Sequence, residues 1–191
     1  MNYINDSIGP ISFIFIFIIF VKRKSKGNFK EYGFLLTNYK NIFKGFIIGV
    51  LLVCIATYTS SSIIGKGHYL NEYSLLIRIS IYWLLIPISE EIFFRSWLQT
   101  LISKKTGKSF AISKFDISYP VILTSIIFGV YHSMLLFMNV SILKVVHIIG
   151  FTMILGLFSG YFREKTKSIL PSIIMHISYN TAGGILATSI L

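Results

Sequence analysis

Glu90 and Glu91 are adjacent carboxylates, Arg95 stands four residues after the second of them, His132 follows further along, and His176 and Asn180 share an i, i+4 spacing. A carboxylate, two imidazoles and a carboxamide are group types that suit amide hydrolysis. The carboxylate takes a proton from water, and imidazole and carboxamide donors stabilise the oxyanion that develops. The same residues admit a second scheme, in which Glu90, His132 and His176 hold a zinc ion whose fourth position carries water. Both schemes produce a nucleophilic water, and the sequence leaves both open.

These residues sit where polar groups are expensive. The chain has 191 residues, of which 54% are apolar and 16% aromatic, with a mean hydropathy of +0.73, the composition of an integral membrane protein. An ionised side chain near the bilayer centre costs about 2.5 to 3.5 kcal/mol, so Glu90, Glu91 and Arg95 within one apolar segment require partners and a use. The net charge of +11 does not mark a nucleic-acid partner, because the basic residues fall in short runs between long apolar stretches, which is a signature of membrane topology. Cys54 is the single cysteine, so there is no internal disulfide and no paired-cysteine metal spacing.

Windows of about 20 residues, the length that crosses the hydrocarbon layer, pick out six segments: Tyr3 to Val21, Asn41 to Ile64, Ser74 to Ile102, Tyr119 to Met138, Ser141 to Phe162 and Ile169 to Leu191. The first is followed rather than preceded by basic residues, the reverse of a signal peptide, and is read as a span. The expected fold class is all-α, a polytopic membrane bundle of about six transmembrane helices. Lys22, Arg23, Lys24, Lys26 and Lys30 follow the first segment, Lys104, Lys105, Lys108 and Lys114 the third, and Arg163, Lys165 and Lys167 the fifth. By the positive-inside rule these three loops face the cytoplasm and both termini face outward. Residues 1–73 then supply two N-terminal helices, and residues 74–191 form the core that carries the polar motifs.

Within the third segment Pro87 is expected to kink the helix just before the Glu pair. Glu91, Arg95 and Gln99 recur every four residues on one face, and Glu91 precedes Arg95 in the better order for an intrahelical ion pair. Glu90 points about 100° away and must find its partner on another helix. Counting about 1.5 Å per residue from the cytoplasmic ends places Glu90 roughly 18 Å deep, His132 roughly 20 Å and His176 roughly 10 Å. His147, in the fifth segment, is read as a hydrogen bond to a neighbouring helix, His68 as a solvated loop residue, and Gly156 with Gly160 as a close-packing pair.

The order Glu90-Glu91-x-x-x-Arg95, Phe128-x-x-x-His132, His176-x-x-x-Asn180, on three separate spans, resembles the CAAX protease and bacteriocin-processing family of intramembrane proteins, over about Ile77 to Gly184. The resemblance implies that Glu90 activates water with His132 beside it, that His176 and Asn180 hold the oxyanion, and that Glu91 and Arg95 support them. It further implies an endopeptidase of a bacterial cytoplasmic membrane acting on a membrane-associated peptide or lipoprotein. Non-proteolytic roles in lipoprotein N-acylation, or bacteriocin immunity by binding, are the alternatives that the family also contains.

Overall fold

The computed structural model describes residues 3–63, 73–106, 117–138 and 140–189; Lys66, His68, Lys108 and Lys114 lie outside them. The described residues form an all-α bundle of six helices. α1 is Tyr3–Lys24, α2 is Tyr39–Ile63, α3 runs over 75–106, α4 is Tyr119–Tyr131 with a 3-10 extension His132–Met138, α5 is Ile142–Thr166 and α6 is Leu170–Ser189. By length and apolar composition, Tyr39–Ser60, Tyr119–Met138 and Ile142–Thr166 suffice to cross a membrane. The other three helices carry more polar residues: α1 ends in Lys22, Arg23 and Lys24, α3 holds the two glutamates and Arg95, and α6 holds His176 and Asn180.

The basic runs fall in the last turns of α1, α3 and α5, where they also complement the partial negative charge of a helix C-terminus. At helix starts, the Ser74 and Ser118 hydroxyls accept from the backbone N–H groups of Ile77 and Val121, at 3.4 Å in each case, and so satisfy donors that have no intrahelical partner.

The segment joining α1 to α2 is fastened to this basic end of the bundle. It makes a 3-10 turn at Phe29–Tyr32, and Gly33 then adopts φ 90°; a Cβ there would run into the Arg163 guanidinium. Ser96 Oγ donates to Tyr32 O at 2.6 Å, Arg163 Nη2 to Glu31 O at 3.0 Å, and Ile169 N to Gly33 O at 3.0 Å. Lys104 Nζ lies 2.7 Å from the Glu31 carboxylate, which holds the ammonium above its ordinary pKa. Phe17, Val21, Tyr32, Ile92 and Ile169 fill the space beneath.

The second core cluster, Leu52, Phe94, Phe128, Leu155, Phe162 and Met175, joins α2 through α6 at mid-bundle. Two glycine seams allow the close approach. On α2, a Cβ at Gly45 would meet the Pro171 carbonyl, and one at Gly49 would overlap the Met175 carbonyl and Ser178 Oγ of α6. On α5, a Cβ at Gly156 would come within 3.1 Å of Ser125 Cα on α4. Gly156 and Gly160 thus face α4 as a close-packing pair, and Gly45 with Gly49 is a second pair of the same kind.

Replacing Gly49 with Ala is therefore expected to destabilise the bundle by about 1–3 kcal/mol, the usual range for overpacking a tight contact. Gly150→Ala, which meets nothing within 4 Å, should leave stability unchanged or raise it. Unfolding of the purified variants in mixed detergent micelles measures both, and equal stability of the two variants would contradict the α2–α6 contact.

Candidate intramembrane active site

α3 positions the carboxylates by changing its winding on either side of them. Arg78–Leu85 and Ile92–Leu98 are π-helical, and the six residues between, Ile86–Glu91, are α-helical. Such wide turns are rare within helices and recur at functional sites. Here the first one has a local cause and a consequence. The Ile86 N–H bonds to Ile81 O, and Pro87, next in line for the Tyr82 carbonyl, has no N–H to give. That carbonyl is answered from another helix: Asn180 Nδ2 donates to it at 3.1 Å. A carbonyl can only accept, so the bond also fixes which way the Asn180 amide faces. At Pro87, where the sequence leads one to expect a kink, the winding changes and α6 supplies the missing donor.

Below this junction four ionisable side chains form a row. Arg95 Nε lies 3.4 Å from Glu91 Oε2, Glu91 Oε1 lies 3.1 Å from His176 Nδ1, and His176 Nε2 lies 3.6 Å from Glu90 Oε2. Glu91 and Arg95 are wholly buried, His176 is 3% exposed and Glu90 7%. The partner that Glu90 meets on another helix is thus His176, which the two carboxylates hold from both ring nitrogens. Among the described residues no protein acceptor hydrogen-bonds the Arg95 guanidinium, so its charge is met by the ion pair and by the Phe128 ring, 4.8 Å from ring centroid to guanidinium carbon.

Phe128 holds the centre. Besides lying against Arg95, its ring meets His132 edge-on at 5.0 Å and His176 at 5.7 Å. It is completely buried, and it is the first residue of the Phe128-x-x-x-His132 pattern. His132 is the residue at which α4 passes into the 3-10 extension. Its Nδ1 lies 2.9 Å from Phe128 O, which makes Nδ1 the donor and leaves Nε2 as the nitrogen free for chemistry.

Glu90, His132 and Asn180 line a cavity of about 580 Å³, along with Ser89, Tyr131 and Tyr179. Glu91, Arg95 and His176 lie behind it. Of the six sequence-derived site residues, three line this cavity and three lie behind it. Tyr131 and Tyr179 are cavity residues that the sequence reading passed over, although each directly precedes a motif residue. His147 lies apart, on α5, where its Nε2 is 2.8 Å from Thr59 Oγ1 of α2.

The zinc scheme needs Glu90, His132 and His176 to converge on one point. Among the described residues no group of three His, Cys, Asp or Glu is gathered so as to hold a metal ion, and both ring nitrogens of His176 are turned to carboxylates. The arrangement does not fit zinc, and no step is derived through one.

The described residues thus form an all-α membrane bundle in which a carboxylate, an imidazole and a carboxamide line one cavity. Residues 72–182, more than half of the chain, match the family model of the Rce1-like type II CAAX prenyl endopeptidases, and the chain belongs to that family of membrane proteases. No curated protein and no solved structure matches it.

The row from Arg95 to Glu90 makes a quantitative expectation. Arg95→Met strips Glu91 of its cation and should destabilise the protein by about 3–5 kcal/mol. Adding Glu91→Gln should recover part of that loss, because the stranded charge is gone. A double-mutant cycle on unfolding free energies measures the coupling, and additive losses would disprove the pairing.

Proposed function

We propose that the protein is an intramembrane endopeptidase of a bacterial cytoplasmic membrane, with its basic loops on the cytoplasmic side, and that it cuts a peptide bond in a membrane-associated or lipid-modified protein or peptide. What chiefly supports this reading is that Glu90, His132 and Asn180 open onto one cavity, whereas the remaining motif residues are packed behind them. Glu90 takes a proton from water, and that water attacks the scissile carbonyl. The second hydrogen of Asn180 Nδ2, the first being committed to Tyr82 O, is available to the oxyanion. Glu90 then gives the proton it took to the departing amine, while His132 Nε2, an acceptor because Nδ1 donates to Phe128 O, receives a hydrogen bond from the attacking water. His176, tied to Glu91, orients Glu90 and is a supporting group in this scheme. Residues 74–191 make the catalytic core, and the two helices within residues 1–73 brace it, α2 along α6 and α1 along α3.

Glu90→Gln preserves shape and removes the base, so cleavage should fall by about 10²–10⁴, the usual contribution of a general base, with folding and insertion intact. Mass spectrometry of membrane peptides from cells carrying either form would show uncut species accumulating with the variant; unchanged cleavage would refute the assignment. Removal of divalent metals by a chelator should leave the rate as it is.

A further inference from the structure

The cavity above Glu90 is built from one end of the bundle. α1, α3 and α5 give it residues from their N-terminal halves, such as Pro10, Trp83 and Ile148; α2, α4 and α6 give it residues from their C-terminal halves, such as Val53, Met134 and Gly183. Since consecutive helices alternate in direction, all of these lie at the end that carries the chain termini. The basic residues gather at the opposite end, in the last turns of α1, α3 and α5 and at Lys40 and Lys44 in the first turns of α2. Among the described residues only Arg78 and Lys144 stand at the cavity end.

The path from the basic end to Glu90 is filled. Glu91, Arg95, Phe128, Leu155 and Met175 are fully buried beneath the cavity floor, and lower still Gln99 Nε2 donates to Gly160 O at 3.1 Å, joining α3 to α5. Exposure is at the other side. Met134 is 55% exposed and Met138 39%, both in the 3-10 extension that rims the cavity, against 7% for Glu90 at its floor.

We propose that substrate reaches Glu90 from the face opposite the basic loops, which the positive-inside rule makes the extracytoplasmic face. The occupant is then a peptide segment of an exported or outer-leaflet-anchored protein, and its apolar side chains meet the apolar cavity walls. The nature of the bond cut rests on the protease reading above; the direction of approach rests on how the cavity is built.

The single native cysteine, Cys54, makes a direct test practical. In a Cys54→Ser background, one cysteine is placed at Met134 or Met138 on the rim, and in a separate variant at Lys24 on the basic face. A membrane-impermeant maleimide is then applied to intact spheroplasts and to inverted vesicles. Met134→Cys and Met138→Cys should be labelled in spheroplasts and lose that labelling on inversion, whereas Lys24→Cys should react only in inverted vesicles. Rim cysteines that react only in inverted vesicles, or in neither orientation, overturn the proposal, as does labelling of Lys24→Cys in spheroplasts. Labelling does not depend on catalysis. An active Glu90→Gln variant with an outward-facing rim would defeat the protease reading alone; an inactive one with an inward-facing rim would defeat the direction alone.

Discussion

The structure depends on keeping ionisable groups inside an apolar bundle without stranding any of them. Two glutamates, an arginine and a histidine are answered almost entirely by one another, in a row of contacts from Arg95 through Glu91 and His176 to Glu90. One Phe128 ring packs against the arginine and against both His132 and His176. Removing a partner from such a set exposes the next to an uncompensated charge in low dielectric. The row therefore couples α3, α4 and α6 more specifically than shape alone would, since apolar contacts slide and an ion row does not.

The glycine seams and the loop between α1 and α2 follow from this demand. Ions can meet across α3 and α6 at 3–4 Å only if those helices lie close, and Gly184 of α6, where a Cβ would run into the Trp83 ring of α3, supplies that closeness, while the two glycine seams draw α2 and α4 in around them. The fastening of Glu31, Tyr32, Gly33 and Leu35 to Arg163, Ser96, Ile169 and Ser168 closes the basic end. α2, outside the motif-bearing segment, is thereby part of the same packed unit as α6.

The helical membrane class and the motif residues were legible in the sequence, because a charge or an imidazole inside an apolar run is conspicuous and has few structural excuses. Which of them touch was not. Depth counted along ideal helices set Glu90 and His176 about 8 Å apart, at 1.5 Å per residue, yet their side chains are 3.6 Å apart. Ile92–Leu98 lies between Glu90 and the cytoplasmic end, and its π winding advances less per residue than the count assumed. Winding of that kind leaves no residue pattern to read. The Tyr82 carbonyl was hidden for a related reason: a backbone group has no letter in the sequence, although Pro87 signalled that some carbonyl before it would lose its donor. Gly45 and Gly49, by contrast, had the same spacing as Gly156 and Gly160 and were open to discovery.

His132 has a position that reaches beyond its own chemistry. Its ring lies against the buried Phe128, 5.0 Å between centroids, whereas Met134 and Met138, in the 3-10 turns that begin with it, are exposed at the cavity rim. The exposed rim of the cavity and the buried packing beneath Glu90 therefore draw on consecutive stretches of chain. Substitutions at the rim can therefore reshape the mouth of the cavity without touching Phe128, the ring that packs against both Arg95 and His176.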